Sequence, residues 1–213
     1  MSEPILRVRD LSVRYGGVLA LSSVSFEVAE GNIVGLIGPN GAGKTTCIDA
    51  LTGFTAPSDR SSAFTHVQFL GRSIDRCSPQ ARVRLGFGRT FQSLELFDDL
   101  TVRDNLRVAA ATPTWFDTLT DAFWQKRGGD RVVNQTLNMI GLEACAEERT
   151  ENLSNGQRHL VAVGRALVAE PQLLLLDEPA AGLDPTETAE LAELLKQLPK
   201  RGVNVLLVDH DMS

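Results

Sequence analysis

The sequence predicts an α/β fold: a core built on a parallel sheet, an N-terminal antiparallel β portion, and a helical subdomain inserted into the core. Three observations predict it. Short, almost wholly apolar runs recur at Asn32–Ile37, Leu173–Leu176 and Val203–Val208, as strands buried on both faces do. Helical stretches separate these runs, and strands that alternate with helices build a parallel sheet. Ahead of them, two segments alternate apolar and polar residues, the habit of half-buried strands.

The elements follow in order. Ile5-Leu6-Arg7-Val8 and Val24-Ser25-Phe26-Glu27-Val28 are the alternating pair. Asn32–Ile37 (NIVGLI) reads as a buried central strand that runs into a Gly-Pro-Asn-Gly turn. A helix is expected from about Lys44 to Leu51, a loop over 57–62 (PSDRSS), and a further strand at Val67–Leu70. Residues 101–142 read as helical, with Trp115, Leu119 and Phe123 on one face; Trp115, Phe116, Phe123 and Trp124 are expected to form the core of this lobe. Ser154 opens a helix to about Ala169, ended by Pro171. Thr186–Leu198 is expected to be helical and Val203–Val208 a buried strand. On this reading residues 1–92 and 156–213 form the catalytic core with its N-terminal β portion, and 93–155 the helical subdomain.

Composition narrows the function classes. With 21 Lys and Arg against 27 Asp and Glu the net charge is −6, so bulk electrostatics point to no nucleic-acid partner. Cys47, Cys77 and Cys145 form no C-x-x-C pair, which argues against a disulfide framework or zinc site and fits a reducing cytoplasm. Cys47 is expected to be a packing residue. The charged start MSEPILRVRD lacks the apolar stretch of a signal peptide, and runs such as Leu173–Leu176 are far too short to cross a bilayer. If the protein serves a membrane, it does so from the surface through partners, and it is expected to be soluble in isolation.

Residues 38–45 read GPNGAGKT, the G-x-x-x-x-G-K-[ST] pattern of a P-loop, between an expected strand and an expected helix. Gly38, Gly41 and Gly43 let the backbone curl tightly, so that its N–H groups face a phosphate as a nest. The following helix aims its positive N-terminus at the same anion. Lys44 supplies a point charge near the β- and γ-phosphates, and the Thr45 hydroxyl can ligate Mg²⁺. The cradle thus comprises Gly38, Pro39, Asn40, Gly41, Ala42, Gly43, Lys44, Thr45 and Thr46, on a P-loop NTPase core. A glycine-rich turn that merely joins strand to helix is the bland alternative.

Asp177-Glu178-Pro179 follows the leucine strand at once, and carboxylates at such a strand end lie on the edge where α/β sheets bind ligands. Asp177 is suited to hold Mg²⁺ through water, and Glu178 to polarise an attacking water as general base. A solvated turn would suit Asp-Glu-Pro equally well. Coupled to the cradle, the pair points to phosphoryl transfer, which needs both a metal holder and a group that positions water.

With these motifs the chain resembles the nucleotide-binding subunits of ABC transporters. Leu153-Ser154-Asn155-Gly156-Gln157, followed by Arg158, stands where that family carries a signature usually spelled LSGGQ. The resemblance implies that Ser154, Asn155, Gly156 and Gln157 reach across a head-to-tail dimer to the γ-phosphate of the partner's ATP. It implies that Tyr15, in VRYGG, stacks on adenine. Gln92, in RTFQ, would sense Mg²⁺ and γ-phosphate and lead toward a permease. Asp184, in AGLD, would contact the opposite subunit, and His210, in LLVDHDM, the γ-phosphate and attacking water. Singly, each has a plain structural reading; their joint order from residue 15 to 210 carries the resemblance.

The wording GFGRTFQSLELFDDLTVRDNL and DEPAAGLDPTE is similar to importers of branched-chain and other hydrophobic amino acids, and urea or amide uptake subunits share much of it. The implied partners are a second nucleotide-binding subunit, identical or paralogous, integral membrane permease subunits, and indirectly a periplasmic or extracellular solute-binding protein. The implied place is the cytoplasmic face of the inner membrane, peripherally bound. Leu94, Leu96 and Phe97 are either docking contacts for the permease or packing residues of the helical lobe. Asn155 departs from the usual glycine. Asn tolerates left-handed backbone, so the turn is expected to survive, with added bulk where γ-phosphate docks. The chain also stops soon after His210, whereas such cassettes usually continue. Rival readings are a soluble ABC ATPase acting in DNA repair or on ribosomes, and a non-hydrolysing regulatory module. The absence of long coiled-coil insertions and of a second cassette weighs against the first, and Glu178 with His210 against the second. No N-K-x-D motif follows to read guanine.

Overall fold

The computed structural model describes residues 3–58, 66–90, 94–110 and 124–209, with side chains described in all of these but 124–128. Gly16, at φ 57°, lets the chain reverse so that β1 (Leu6–Tyr15) pairs antiparallel with β2 (Val18–Val28). Both strands are longer than the alternation suggested, because register shifts between Val8 and Leu11 and again near Val13 break the period of two. On the other side of β1 lies β4 (Val67–Phe69), and beyond it β5 (Arg72–Ser73).

The parallel sheet has the order β3-β8-β7-β6, from β3 (Ile33–Ile37), β8 (Asn204–Asp209), β7 (Leu173–Asp177) and β6 (Phe87–Arg89). All of its neighbouring pairs are parallel. β7 is buried along its whole length, as a central strand must be. The reading of Asn32–Ile37 as a buried central strand is corrected here. β3 is an edge strand with Ile33 and Ile37 exposed, because it pairs only with β8 among the described residues. Apolar composition alone does not separate a margin from a centre.

Six α-helices accompany the sheets among the described residues, with short 3-10 turns at Thr150–Asn152 and Pro199–Arg201: α1 (Lys44–Thr52), α2 (Pro79–Arg84), α3 (Val102–Ala110), α4 (Trp124–Ile140), α5 (Asn155–Leu167) and α6 (Pro185–Gln197). Two of the starts show a side-chain cap in the sequence itself. The Ser78 hydroxyl accepts from the Ala81 N–H while Pro79 occupies the first turn of α2. Ser154 and Gln157 close a capping box at the head of α5. Trp115, Phe116, Leu119 and Phe123 lie outside the described residues, as does most of the expected loop over 57–62; Trp124 begins α4.

The chain divides into two compact units. The first comprises Met1–Arg89, Gln172–Pro179 and Lys196–Ser213; the second comprises Thr90–Pro171 and Ala180–Leu195. In the first unit both sheets share one buried cluster with α1, including Leu6, Leu11, Ile48, Leu51, Phe69, Leu173 and Leu175. Each such side chain contributes about 1.5–3 kcal/mol by leaving water. Arg82 is buried with them, its guanidinium donating to the Ala50, Leu51 and Cys77 carbonyls, so α2 caps the C-terminal end of α1. In the second unit α5 packs on α3 and α4 around Gly164, whose Cα faces Leu106 and Ile140. The helix opening at Ser154 therefore belongs to the helical unit.

Candidate functional site

The cradle is shaped by backbone alone. Gly41 and Gly43 hold φ of 81° and 88°, and a Cβ on Gly43 would collide with the Ala20 carbonyl and approach Leu21 Cδ2 to 2.8 Å. Only glycine lets the loop pass β2 at this distance. Ala42 N–H donates to Pro39 O at 3.1 Å and tightens the turn. Lys44 folds back, its ammonium donating to Gly38 O at 2.7 Å and Pro39 O at 3.2 Å. α1 starts at Lys44 with no side-chain cap and no acidic residue in its first turn. Its positive end is left to an external anion, with Thr45 and Thr46 in that turn.

Strand β7 delivers the acidic pair to the same unit. Asp177 is 3% exposed, and its Oδ1 atom is buried with no hydrogen-bond partner. On its other side Arg89 Nη2 stands 4.0 Å from Oδ2, while Arg89 Nη1 bonds Asp49 of α1 at 2.6 Å and the Thr52 hydroxyl at 3.1 Å. The Thr45 side chain is near enough to the Asp177 carboxyl to lower its proton affinity slightly. Burial pushes the Asp177 carboxyl above the usual carboxylate range; the Arg89 charge opposes this, while Glu178 and Asp49 add to it. Glu178 follows in left-handed backbone, φ 48°, pinned by its N–H to Val208 O at 2.9 Å.

A divalent cation fits this arrangement. An orphaned, buried carboxylate oxygen near a threonine hydroxyl is a hard-oxygen donor set, with the charges of Glu178 and Asp49 raising the carboxyl's proton affinity against that of Arg89. Among the described residues no group of three or more His, Cys, Asp or Glu is placed to hold a metal unaided.

Tyr15 ends β1, half exposed, its hydroxyl 2.9 Å from the Thr55 hydroxyl. It stands on the hairpin whose β2 strand passes Gly43. Gln92 and His210 lie outside the described residues. Arg89 escaped the sequence reading, although it lies three residues ahead of Gln92 in the quoted RTFQ run.

The signature residues gather in the second unit. Ser154 caps α5: its Oγ accepts from the Gln157 N–H at 3.2 Å, and Gln157 Oε1 accepts from the Ser154 N–H at 3.0 Å. Asn155 is the first residue of α5, with no positive φ, so the turn forms without calling on Asn's tolerance of left-handed backbone. The helix needs αR backbone there, and the side chain works elsewhere: Nδ2 donates to Gly182 O at 2.9 Å. The Asp184 carboxylate caps α6, accepting from the Thr186 and Glu187 N–H groups at 2.7 and 2.8 Å. Glu187, which the sequence reading passed over, accepts through Oε1 from the Gly156 N–H at 2.8 Å and from the Ser154 hydroxyl at 3.4 Å. Its Oε2 accepts from the Asp184 N–H at 3.2 Å. Phe97 is 42% exposed, yet the Arg165 guanidinium covers its ring at 5.1 Å and Asn105 and Thr150 hold its carbonyl. It is both seated in the lobe and accessible.

No helix among the described residues is long and apolar enough to cross a membrane.

A sequence profile described as ABC transporter matches residues 21–181. The chain is 41% identical to the high-affinity branched-chain amino acid transport ATP-binding protein LivG of Salmonella typhimurium, over 100% of this chain and 84% of that protein. It is 37% identical to the corresponding protein BraF of Pseudomonas aeruginosa, again over 100% of this chain and 84% of the relative. A crystal structure of the ADP conformation of an ATP-binding cassette of an ABC transporter superimposes with a TM-score of 0.86 at 28% identity, covering 100% of this chain and 83% of that one.

Proposed function

The chain belongs to the ABC transporter family, and from that premise we propose that it is the ATP-binding and ATP-hydrolysing subunit of an importer of branched-chain or other hydrophobic amino acids. Its relatives carry that transport function in their names, at 37–41% identity over the whole chain. The observation that carries the ATPase reading is the buried Asp177 carboxylate, one oxygen without a hydrogen-bond partner, with Thr45 near it and Glu178 next in the chain.

The chemistry follows from these positions. Gly41, Gly43 and the head of α1 offer N–H groups to the β-phosphate. Lys44 exchanges its two carbonyl partners for phosphate oxygens, a stronger charge-assisted pairing. Thr45 and Asp177 are the residues that would hold Mg²⁺, which when bound neutralises phosphate charge. Tyr15 offers an aromatic face to adenine. Glu178 orients water and takes its proton, with His210 and Gln92 completing the ring around the γ-phosphate. Ser154, Asn155, Gly156 and Gln157 of a second subunit, identical or paralogous, close on that phosphate, with Asp184 at the subunit boundary. Closure moves a membrane permease docked near Gln92 on the cytoplasmic side, supplied by a solute-binding protein beyond the membrane. Binding shifts the population toward the closed dimer, and hydrolysis resets it.

The test is ATP-dependent dimerisation of Glu178→Gln, followed by size exclusion with light scattering. A dimer that forms only with ATP is expected; a persistent monomer that still binds ATP would sink the sandwich. Leucine uptake by proteoliposomes holding the chain with its permease subunits tests the solute class, and transport of another solute in its place would overturn it.

A further inference from the structure

We infer that Glu187 is a latch on the signature end of the molecule, holding in cis the donors that the ATP of a second subunit must capture. The inference rests on the sandwich reading above and deepens it. A serine hydroxyl has one proton and a backbone amide has one. In this chain the Ser154 proton and the Gly156 N–H both point to Glu187 Oε1, at 3.4 and 2.8 Å. These two donors flank Asn155 at the head of α5, where a positive helix end favours an anion. A carboxylate already sits there, on α6 of the same chain. A γ-phosphate arriving from outside cannot share these protons, and two anions at such range repel. Glu187 must leave before the phosphate can dock.

The same carboxylate holds a second element. Its other oxygen accepts from the Asp184 N–H, and the neighbouring Asn155 amide donates to Gly182 O. When Glu187 swings out it therefore releases the head of α5 and one tie on the 181–184 loop together. The fit is close, since a Cβ on Gly156 would lie 2.7 Å from the Glu187 side chain. The glycine makes room for the carboxylate. Glu187 also completes the capping box of α6 with Asp184, so a purely structural role is the competing account.

The two accounts predict opposite results. In the Glu178→Gln background, Glu187→Gln and Glu187→Ala are compared for ATP-dependent dimerisation by light scattering, with helicity and melting temperature recorded alongside. Glu187→Gln keeps the shape and an acceptor but loses the charge. A latch predicts that both substitutions tighten the ATP dimer by roughly tenfold, while hydrogen exchange at the Gly156 amide speeds up in the nucleotide-free protein. Unchanged or weaker dimerisation in both, beside an ATP dimer in the parent, would overturn the latch and leave the sandwich standing. Unchanged exchange at Gly156 would overturn the contact itself. If none of the proteins dimerises while all still bind ATP, the sandwich falls, and the latch with it.

Discussion

Glu178 holds left-handed backbone that a residue with a Cβ adopts at a cost of about 1–2 kcal/mol, and its N–H bond to Val208 O keeps it there. Its neighbour bears a cost of a different kind. Burial lifts the Asp177 carboxyl above its ordinary range, so its ionised form weakens the fold. The group stabilises fully below its unfolded value, and that contribution is lost as pH rises through the elevated folded one. Asp177→Asn should thus raise the melting temperature, by about 2–4 °C for each kcal/mol relieved, while abolishing Mg²⁺-dependent ATP turnover; calorimetry and a phosphate-release assay check the pair. Gly43→Ala should do the reverse. The added methyl meets the Ala20 carbonyl in left-handed backbone, so a loss of at least 1–2 kcal/mol is expected in urea titration, together with loss of ATP binding. Residues of this kind were legible in the sequence because a glycine pattern and a strand-end carboxylate each have a direct chemical reading. Arg89 and Glu187 were not. Their partners, Asp49 and Asp177 for one and Ser154 and Gly156 for the other, lie far along the chain.

At the scale of elements, legibility followed capping residues and apolar runs, which also marked the three-residue β4. α1, α5, α6, β7 and β8 came within two residues of their expected bounds, because capping residues and apolar runs mark them. α2, β5 and β6 are six, two and three residues long, too short for any periodicity to declare itself. α2 nonetheless matters: its Arg82 satisfies the last carbonyls of the helix that carries Lys44 and Thr45. β3 was legible as a strand but not as an edge, since edge position is decided by pairing partners. In the helical unit, α5 approaches its neighbours through Gly164, where a Cβ would stand 2.9 Å from Ile140 Cδ1 and 3.1 Å from Leu106 Cδ2. Gly164→Val should therefore cost about 1–3 kcal/mol by overpacking, despite leaving the helix with a residue of better intrinsic propensity. Chemical denaturation followed by circular dichroism is the measurement.

For the whole molecule, charge sets behaviour in solution. A net charge of −6 and an isoelectric point near 5.1 predict least solubility close to that pH, and no retention on duplex DNA at physiological salt. Turbidity against pH and a filter-binding assay check both. The order of motifs was legible end to end, whereas the cis contacts at the signature were not, because they depend on how α5 and α6 meet. The margin at β3 has one more consequence. A strand with one bonded neighbour among the described residues, bearing Ile33 and Ile37 at 41% and 53% exposure, is a template on which a second chain can add by main-chain bonding. Ile33→Lys should therefore slow concentration-dependent aggregation, measured by light scattering, by making strand-to-strand addition repulsive.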